Sequence, residues 1–294
     1  MKQRTLKWIW LFLSPALVVY LTIFLYPLLS VFVTSFTDWN GFNAPRFIGL
    51  KNYSQLFQNA NFQQSLKNSL IWAVYAVVVH VPFGVLVALV LAKKMRGWRF
   101  VRAVFMLPNV IASSAIALLF TFIYKPQEGI LNSLIRAVGF SNFQHNWLYS
   151  TDTAFTAVTM IWLFYAAVVT LITLAELLSV PGELFEAARI DGANTWQIDW
   201  YINLPLLRKI IGTSMVIAVT SVFKKFDIVY MTTNGGPGNA TMTLSVMMVN
   251  AITNTMSYGY ANAIGVILIV MGVVTMRLCS RVFRMDRSSY RGEA

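Results

Sequence analysis

One cysteine, Cys279, and two widely separated histidines, His80 and His145, leave this sequence without an internal disulfide or a metal-ligand cluster. Charge is scarce as well. Only 12% of the 294 residues are charged, whereas a soluble domain carries roughly 25%. No Gly-Lys-Ser or Gly-Lys-Thr phosphate loop occurs, so the chain does not hydrolyse ATP by itself. No HExxH, GxSxG or paired-histidine pattern is present, which leaves no catalytic constellation for an enzyme. Acidic residues number 11 against 23 basic ones, a net charge of +12. In a soluble protein that balance would point to nucleic acid. Here the basic residues flank apolar runs, so they read as topology and lipid-headgroup contacts, and nucleic acid is not expected.

What the chain has in abundance is apolar sequence, 57% of its residues. Six runs reach the about 20 residues that a membrane-spanning helix needs. They cover Trp8–Phe36, Leu70–Leu91, Ala103–Tyr124, Ala154–Leu178, Ile210–Met231 and Tyr260–Val282. The first is much longer than the about 7–15 residues of a signal-peptide core and lacks a good cleavage site, so it reads as a retained helix. His80 sits in the second run beside Pro82 and reads as packed against a neighbouring helix.

Lysine and arginine fix the orientation. Lys2, Arg4 and Lys7 precede the first run, and Lys93, Lys94, Arg96, Arg99 and Arg102 lie between the second and third. Arg189, Arg208 and Lys209 follow the fourth, and Arg277, Arg281, Arg284, Arg287 and Arg291 end the chain. That is sixteen on one side. The other side has five, Arg46, Lys51, Lys67, Lys125 and Arg136. The positive-inside rule puts both termini and the fourth-to-fifth connection in the cytoplasm. Trp8, Trp10, Tyr26, Trp98, Phe100, Tyr124 and Tyr260 suit an interfacial belt. Outside, Thr37–Ser69 is rich enough to form a small packed cap. Leu131, Leu134, Ile135 and Val138 have the spacing of a short interfacial helix.

The fourth-to-fifth connection, 181–209, is a polar island between two apolar helices. Pro181 stops the fourth helix, and a new one begins at Gly182, with Glu183 and Glu186 favouring its dipole. Ala187 and Ala188 support helix and present a small face. Gly192 permits a left-handed turn. Asn194 or Thr195 caps a second helix toward Tyr201, and Leu204-Pro205 ends it.

The spacing Glu186-Ala187-Ala188, three residues, Gly192, nine residues, Ile202, one residue, Leu204-Pro205 resembles the coupling loop of the membrane subunits of binding-protein-dependent ABC importers. The resemblance extends to Leu107-Pro108 opening the third span and Ala175–Pro181 before the loop. It includes Thr233-Asn234-Gly235-Gly236-Pro237 after the fifth span and Gly259-Tyr260-Ala261-Asn262-Ala263 at the sixth. Together these are similar to the carbohydrate permeases of the maltose and glycerol-phosphate type over roughly residues 10–285. Glu176 and Lys209 depart from the pattern.

The resemblance implies an all-α integral membrane fold of six transmembrane helices, a MetI-like type I importer core with a coupling helix. It implies segments 1–64 (first helix and outer loop), 65–283 (permease domain with coupling loop 181–209) and 284–294 (basic tail). It implies a second permease, expected as a heterodimer, two ATP-binding subunits and an extracytoplasmic solute-binding protein, in a bacterial or archaeal cytoplasmic membrane. It implies that this chain binds no cofactor and that ATP and magnesium sit on the partner ATPase. Glu186, Ala187, Ala188, Asp191, Gly192, Leu204 and Pro205 would meet that ATPase.

Members of the family line their solute site with the fifth helix and the outer half of the fourth. Ala218, Ser221, Val222 and Lys225 share one face of the fifth run. Trp162, Tyr165 and Val168 are the matching positions of the fourth, where aromatic faces can stack on sugar rings. Lys225 would also suit an acidic solute, while Lys224 can pair with Asp227. Asn109, Ser113 and Ser114 are weaker candidates. Gly235–Gly238 reads as a flexible turn at the pore mouth or an ordinary solvated one. A gradient-driven transporter would call for carboxylates inside the spans, and only Glu176 and Asp227 come near, both toward helix ends.

Overall fold

The computed structural model describes residues 2–283 and 285, with side chains from residue 9 onward. The remaining basic tail and the side chains of Lys2, Arg4, Lys7 and Trp8 lie outside the described residues. Among the described residues four helices are long and apolar enough to cross a membrane: Ile9–Thr34, Ala60–Ala92, Ala154–Ser179 and Tyr258–Phe283. Two bent pairs complete six spans. Trp98–Val110 joins Ser113–Ile123 at 102°, and Thr195–Leu206 joins Arg208–Thr232 at 69°. Among the described residues the one sheet is a two-stranded hairpin, Thr37–Asp38 against Arg46–Phe47. The architecture is that of an all-α multi-pass membrane protein.

Prolines sit inside these helices by a repeated device. Pro27, Pro82 and Pro205 each stand two residues beyond a π turn, at Tyr20–Leu25, Ala76–His80 and Asp199–Asn203. Proline lacks an N–H and its ring crowds the carbonyl four residues back. In each case the residue before the proline donates to the carbonyl five back: Tyr26 to Leu21, Val81 to Ala76 and Leu204 to Asp199. The wider turn keeps the helix running.

Two compact units make up the chain. Residues 1–62 and 247–269 form one, and residues 63–246 and 270–294 the other. In the first unit, the connection after the first span packs on the start of the sixth span. Asn52 Nδ2 donates to the carbonyls of Ser35 (2.8 Å) and Thr37 (3.0 Å). The Gly259 N–H reaches the Trp39 carbonyl at 3.0 Å, and a Cβ on Gly259 would collide with the Thr37 carbonyl. Asn262 Nδ2 donates to Thr34 Oγ1 at 2.7 Å. The Gly259–Asn262 pattern is thus a contact motif.

In the second unit, three apolar runs are broken where the sequence reads as continuous. The third run is two helices, Trp98–Met106 and Ser113–Ile123. Leu107-Pro108 begins a 3₁₀ turn at the bend instead of opening a span, and Ile111 and Ala112 are extended. The fourth run unwinds between Leu163 and Ala167, and the fifth between Phe223 and Asp227. The connection after the fifth span holds a further helix, Leu244–Thr253. Leu244 and Val246 are fully buried on it. The Gly235–Gly238 turn before it is ordered: Thr241 Oγ1 donates to the Gly236 carbonyl at 2.8 Å and meets Thr233 Oγ1 at 2.6 Å. In the connection Lys125–Thr153, Ile130–Ala137 is helical as its spacing predicts, but its apolar Leu134 is exposed. Its buried centre is Asn132, which takes a hydrogen bond from Trp147 Nε1 at 2.8 Å.

Candidate functional site

The breaks in the third, fourth and fifth spans converge on one cavity of about 240 Å³ in the second unit. Trp162, Tyr165 and Val168 line it from the fourth span, and Ala218, Ser221, Val222 and Lys225 from the fifth. All seven pathway candidates therefore share one space. Asn109 and Ser113 line it from the third-span bend, whereas Ser114 is not among the lining residues. Sequence reading missed His80 and Ile111 as lining residues. His80 is packed, as expected, but its packing partner is the cavity wall.

Trp162 is held on several sides. Its ring lies 5.4 Å edge-on from Trp72 and 5.6 Å from His80, and Lys225 Nζ sits 5.5 Å from its centroid. Trp72 is fixed in turn by its Nε1 donating to Thr159 Oγ1 at 2.7 Å. The break in the fourth span frees the Leu163 carbonyl, which meets His80 Nδ1 at 2.9 Å. Two polar atoms on the wall, Trp162 Nε1 and Tyr165 OH, are buried with no hydrogen-bond partner. Buried polar groups are normally satisfied, so these are free to bond a solute. Thr220 Oγ1 is taken up by the Val216 carbonyl at 2.7 Å, and Thr220 lines only the open margin, while Ser221 stays exposed on the cavity face. Lys224 makes no ion pair with Asp227; both line the open margin beside Lys225. Among the described residues no group of His, Cys, Asp and Glu could hold a metal ion.

The 181–209 loop carries the second set of candidates. Glu186, Ala187 and Ala188 lie on the helix Gly182–Ile190, and Asp191 ends it. Gly192 adopts φ +81°, with open space where a Cβ would stand. The Gly192 N–H bonds the Arg189 carbonyl and the Ala193 N–H the Ala188 carbonyl, at 3.0 and 2.9 Å. This paired closure is a Schellman motif, which needs a left-handed residue where Gly192 stands. Asn194 rather than Thr195 caps the next helix, forming a reciprocal capping box with Gln197. Leu204-Pro205 does not end that helix. The Asp199–Asn203 π turn absorbs Pro205, and the helix continues through Leu206. Glu186, Ala187, Asp191, Gly192 and Pro205 are exposed, and Ala188 and Leu204 half-buried. Trp196, Trp200 and Tyr201 are also exposed on this loop, a feature not singled out from sequence.

Residues 80–284 match the family of binding-protein-dependent transport system inner membrane components. The chain belongs to that family. It is a permease, the membrane component of such a system. It is 35% identical to a probable ABC transporter permease, YurN, of Bacillus subtilis, over 95% of this chain and 96% of the relative. It is 32% identical to AmyD of Thermoanaerobacterium thermosulfurigenes, a probable permease for starch degradation products, over 90% of each. The fold is shared with a bacterial ABC transporter involved in import of the acidic polysaccharide alginate. That TM-score is 0.84 at 20% identity, covering 98% of this permease and 99% of the other chain.

Proposed function

We propose that this permease is one of two membrane subunits of an ATP-binding-cassette importer for a carbohydrate, a sugar, oligosaccharide or related polyol. Its partners are a second, different permease, two ATP-binding subunits that hold ATP and magnesium, and an extracytoplasmic binding protein that delivers the solute. Both termini and the 181–209 loop face the cytoplasm, as the basic residues direct. Glu186, Ala187, Ala188, Asp191, Gly192, Leu204 and Pro205 meet the ATP-binding subunit. Closure of the ATP-binding pair then swings the spans between inward- and outward-facing states.

The observation that carries the solute class is the cavity wall. Trp162 offers an aromatic face, and Trp162 Nε1 and Tyr165 OH are unpartnered polar atoms beside it. A sugar presents both an apolar ring face and hydroxyls, so it satisfies both features at once. The starch-product relative points the same way.

The test is purification of the tagged chain from its own membranes in mild detergent. A second permease and a vanadate-sensitive ATPase should co-purify, and a panel of mono- and oligosaccharides and polyols should identify the solute. A chain that purifies alone or with copies of itself, without ATPase in several detergents, contradicts the proposal.

A further inference from the structure

Asp199 is a carboxylate with its side chain only 11% exposed, on the π turn of the 181–209 loop. One oxygen meets Lys93 Nζ at 2.8 Å, and the other accepts from Asn203 Nδ2 at 2.9 Å. Lys93 closes the helix Val81–Ala92, the lower half of the second span. The residue that opens that helix is His80, which meets the Leu163 carbonyl and the Trp162 ring at the cavity. The two ends lie about 20 Å apart along a helix rising 1.5 Å per residue. The helix between them is packed tightly on the fourth span. A Cβ on Gly84 would stand 2.8 Å from Val169, and Thr170 Oγ1 donates to the Gly84 carbonyl at 3.0 Å.

We infer that the Lys93–Asp199 ion pair is the link through which the 181–209 loop moves the second span, and with it the His80 wall of the cavity. Both are positioning residues for coupling. The inference rests on the proposed role of the loop. Its physical basis is that Asp199 is nearly buried and Lys93, itself 36% exposed, is among the described residues the one cation within ion-pair distance of it, so parting them strands the carboxylate. The loop and the end of the second span therefore move together, and a stiff helix carries the displacement to the cavity. The pair itself lines a hollow of about 310 Å³, together with Leu89, Leu177, Phe185, Ile198 and the basic Arg189. Apolar packing between the loop and the end of the second span is therefore incomplete, and the ion pair bridges the gap.

The experiment uses the full complex with its ATP-binding subunits. This chain carries Cys279→Ser and Val168→Cys, so that one thiol reports on the cavity. The rate at which a charged maleimide modifies the chain is compared without nucleotide and with ATP plus vanadate. The nucleotide should change that rate about tenfold, within the range of ordinary coupling energies. Lys93→Gln and Asp199→Asn should still assemble and hydrolyse ATP but lose the change, and Lys93→Arg should keep it. A change that persists in Lys93→Gln and Asp199→Asn while Gly192→Asp abolishes it overturns the link and leaves the role of the loop standing. A change that persists in Gly192→Asp as well, or is absent from the Val168→Cys reference, overturns the role of the loop and the link with it. If the single variants fail to assemble, the double variant Lys93→Gln/Asp199→Asn leaves no unpaired charge, and a normal rate change there overturns the link.

Discussion

His80 Nδ1 lies 2.9 Å from the carbonyl oxygen of Leu163, at the point where the fourth span unwinds. The unwound turn leaves this carbonyl without a helical partner, and a side chain from the second span supplies one. The break is therefore held open and its geometry fixed. Replacing His80 with Phe keeps a ring against Trp162 but removes the hydrogen bond. The cost should be about 1–3 kcal/mol, that of an unsatisfied buried carbonyl. A lower unfolding temperature of the purified permease in detergent is the expected reading, and an unchanged one would show that the bond is immaterial.

Tyr165→Phe should behave in the opposite way. The hydroxyl has no partner within the protein, so its removal should not lower the unfolding temperature. If it bonds the solute, uptake at saturating loaded binding protein should fall about fivefold, for one bond of about 1 kcal/mol. Normal uptake would remove Tyr165 from the solute path.

Gly192 tests the loop through backbone alone. Nothing lies near its missing Cβ, so alanine meets no steric obstacle there. A left-handed backbone angle still costs an L-residue about 1–2 kcal/mol. Co-purification of the ATP-binding subunits should weaken in Gly192→Ala and recover in Gly192→Asn, since asparagine tolerates this conformation. Equal yields from both variants would show that the turn does not constrain docking.

At Gly84 space decides. An added methyl would press on Val169 and Ala166, both buried. Gly84→Ala should destabilise the second and fourth spans by about 1–3 kcal/mol, the usual range for overpacking. Thermal unfolding followed by tryptophan fluorescence reads this directly. A gain in stability would mean that the two helices are less rigidly packed than their contacts imply.

Much of this was legible in the sequence, for physical reasons that also explain what was not. Hydrophobicity finds apolar segments because water leaves no alternative, so six runs were visible. It is blind to direction within a run, so the 102° bend at Ile111-Ala112 was not visible. Lys225 pointed to the fifth run as a pathway, since charge inside a span is costly, but the break at Lys224–Phe226 was not read from it. The break at 164–166 has no glycine, proline or charge to announce it. The loop was legible because Gly192 and Asn194 carry local backbone requirements. Pro205 misled, because a π turn lets a helix continue past it. Helical spacing put Ala218, Ser221 and Val222 on one face, whereas Tyr165 and Lys225 reach the same cavity from the unwound turns. Lys93 and Asp199, distant in sequence, offered no signal beyond their charges.

The proposed driving force for solute movement through the permease is ATP hydrolysis on other subunits. It is tested most directly in proteoliposomes holding the purified complex, with saccharide-loaded binding protein outside and ATP inside. Uptake should require both, stop with vanadate and persist with an uncoupler. Uptake that needs no ATP and collapses with the ion gradient would contradict the account.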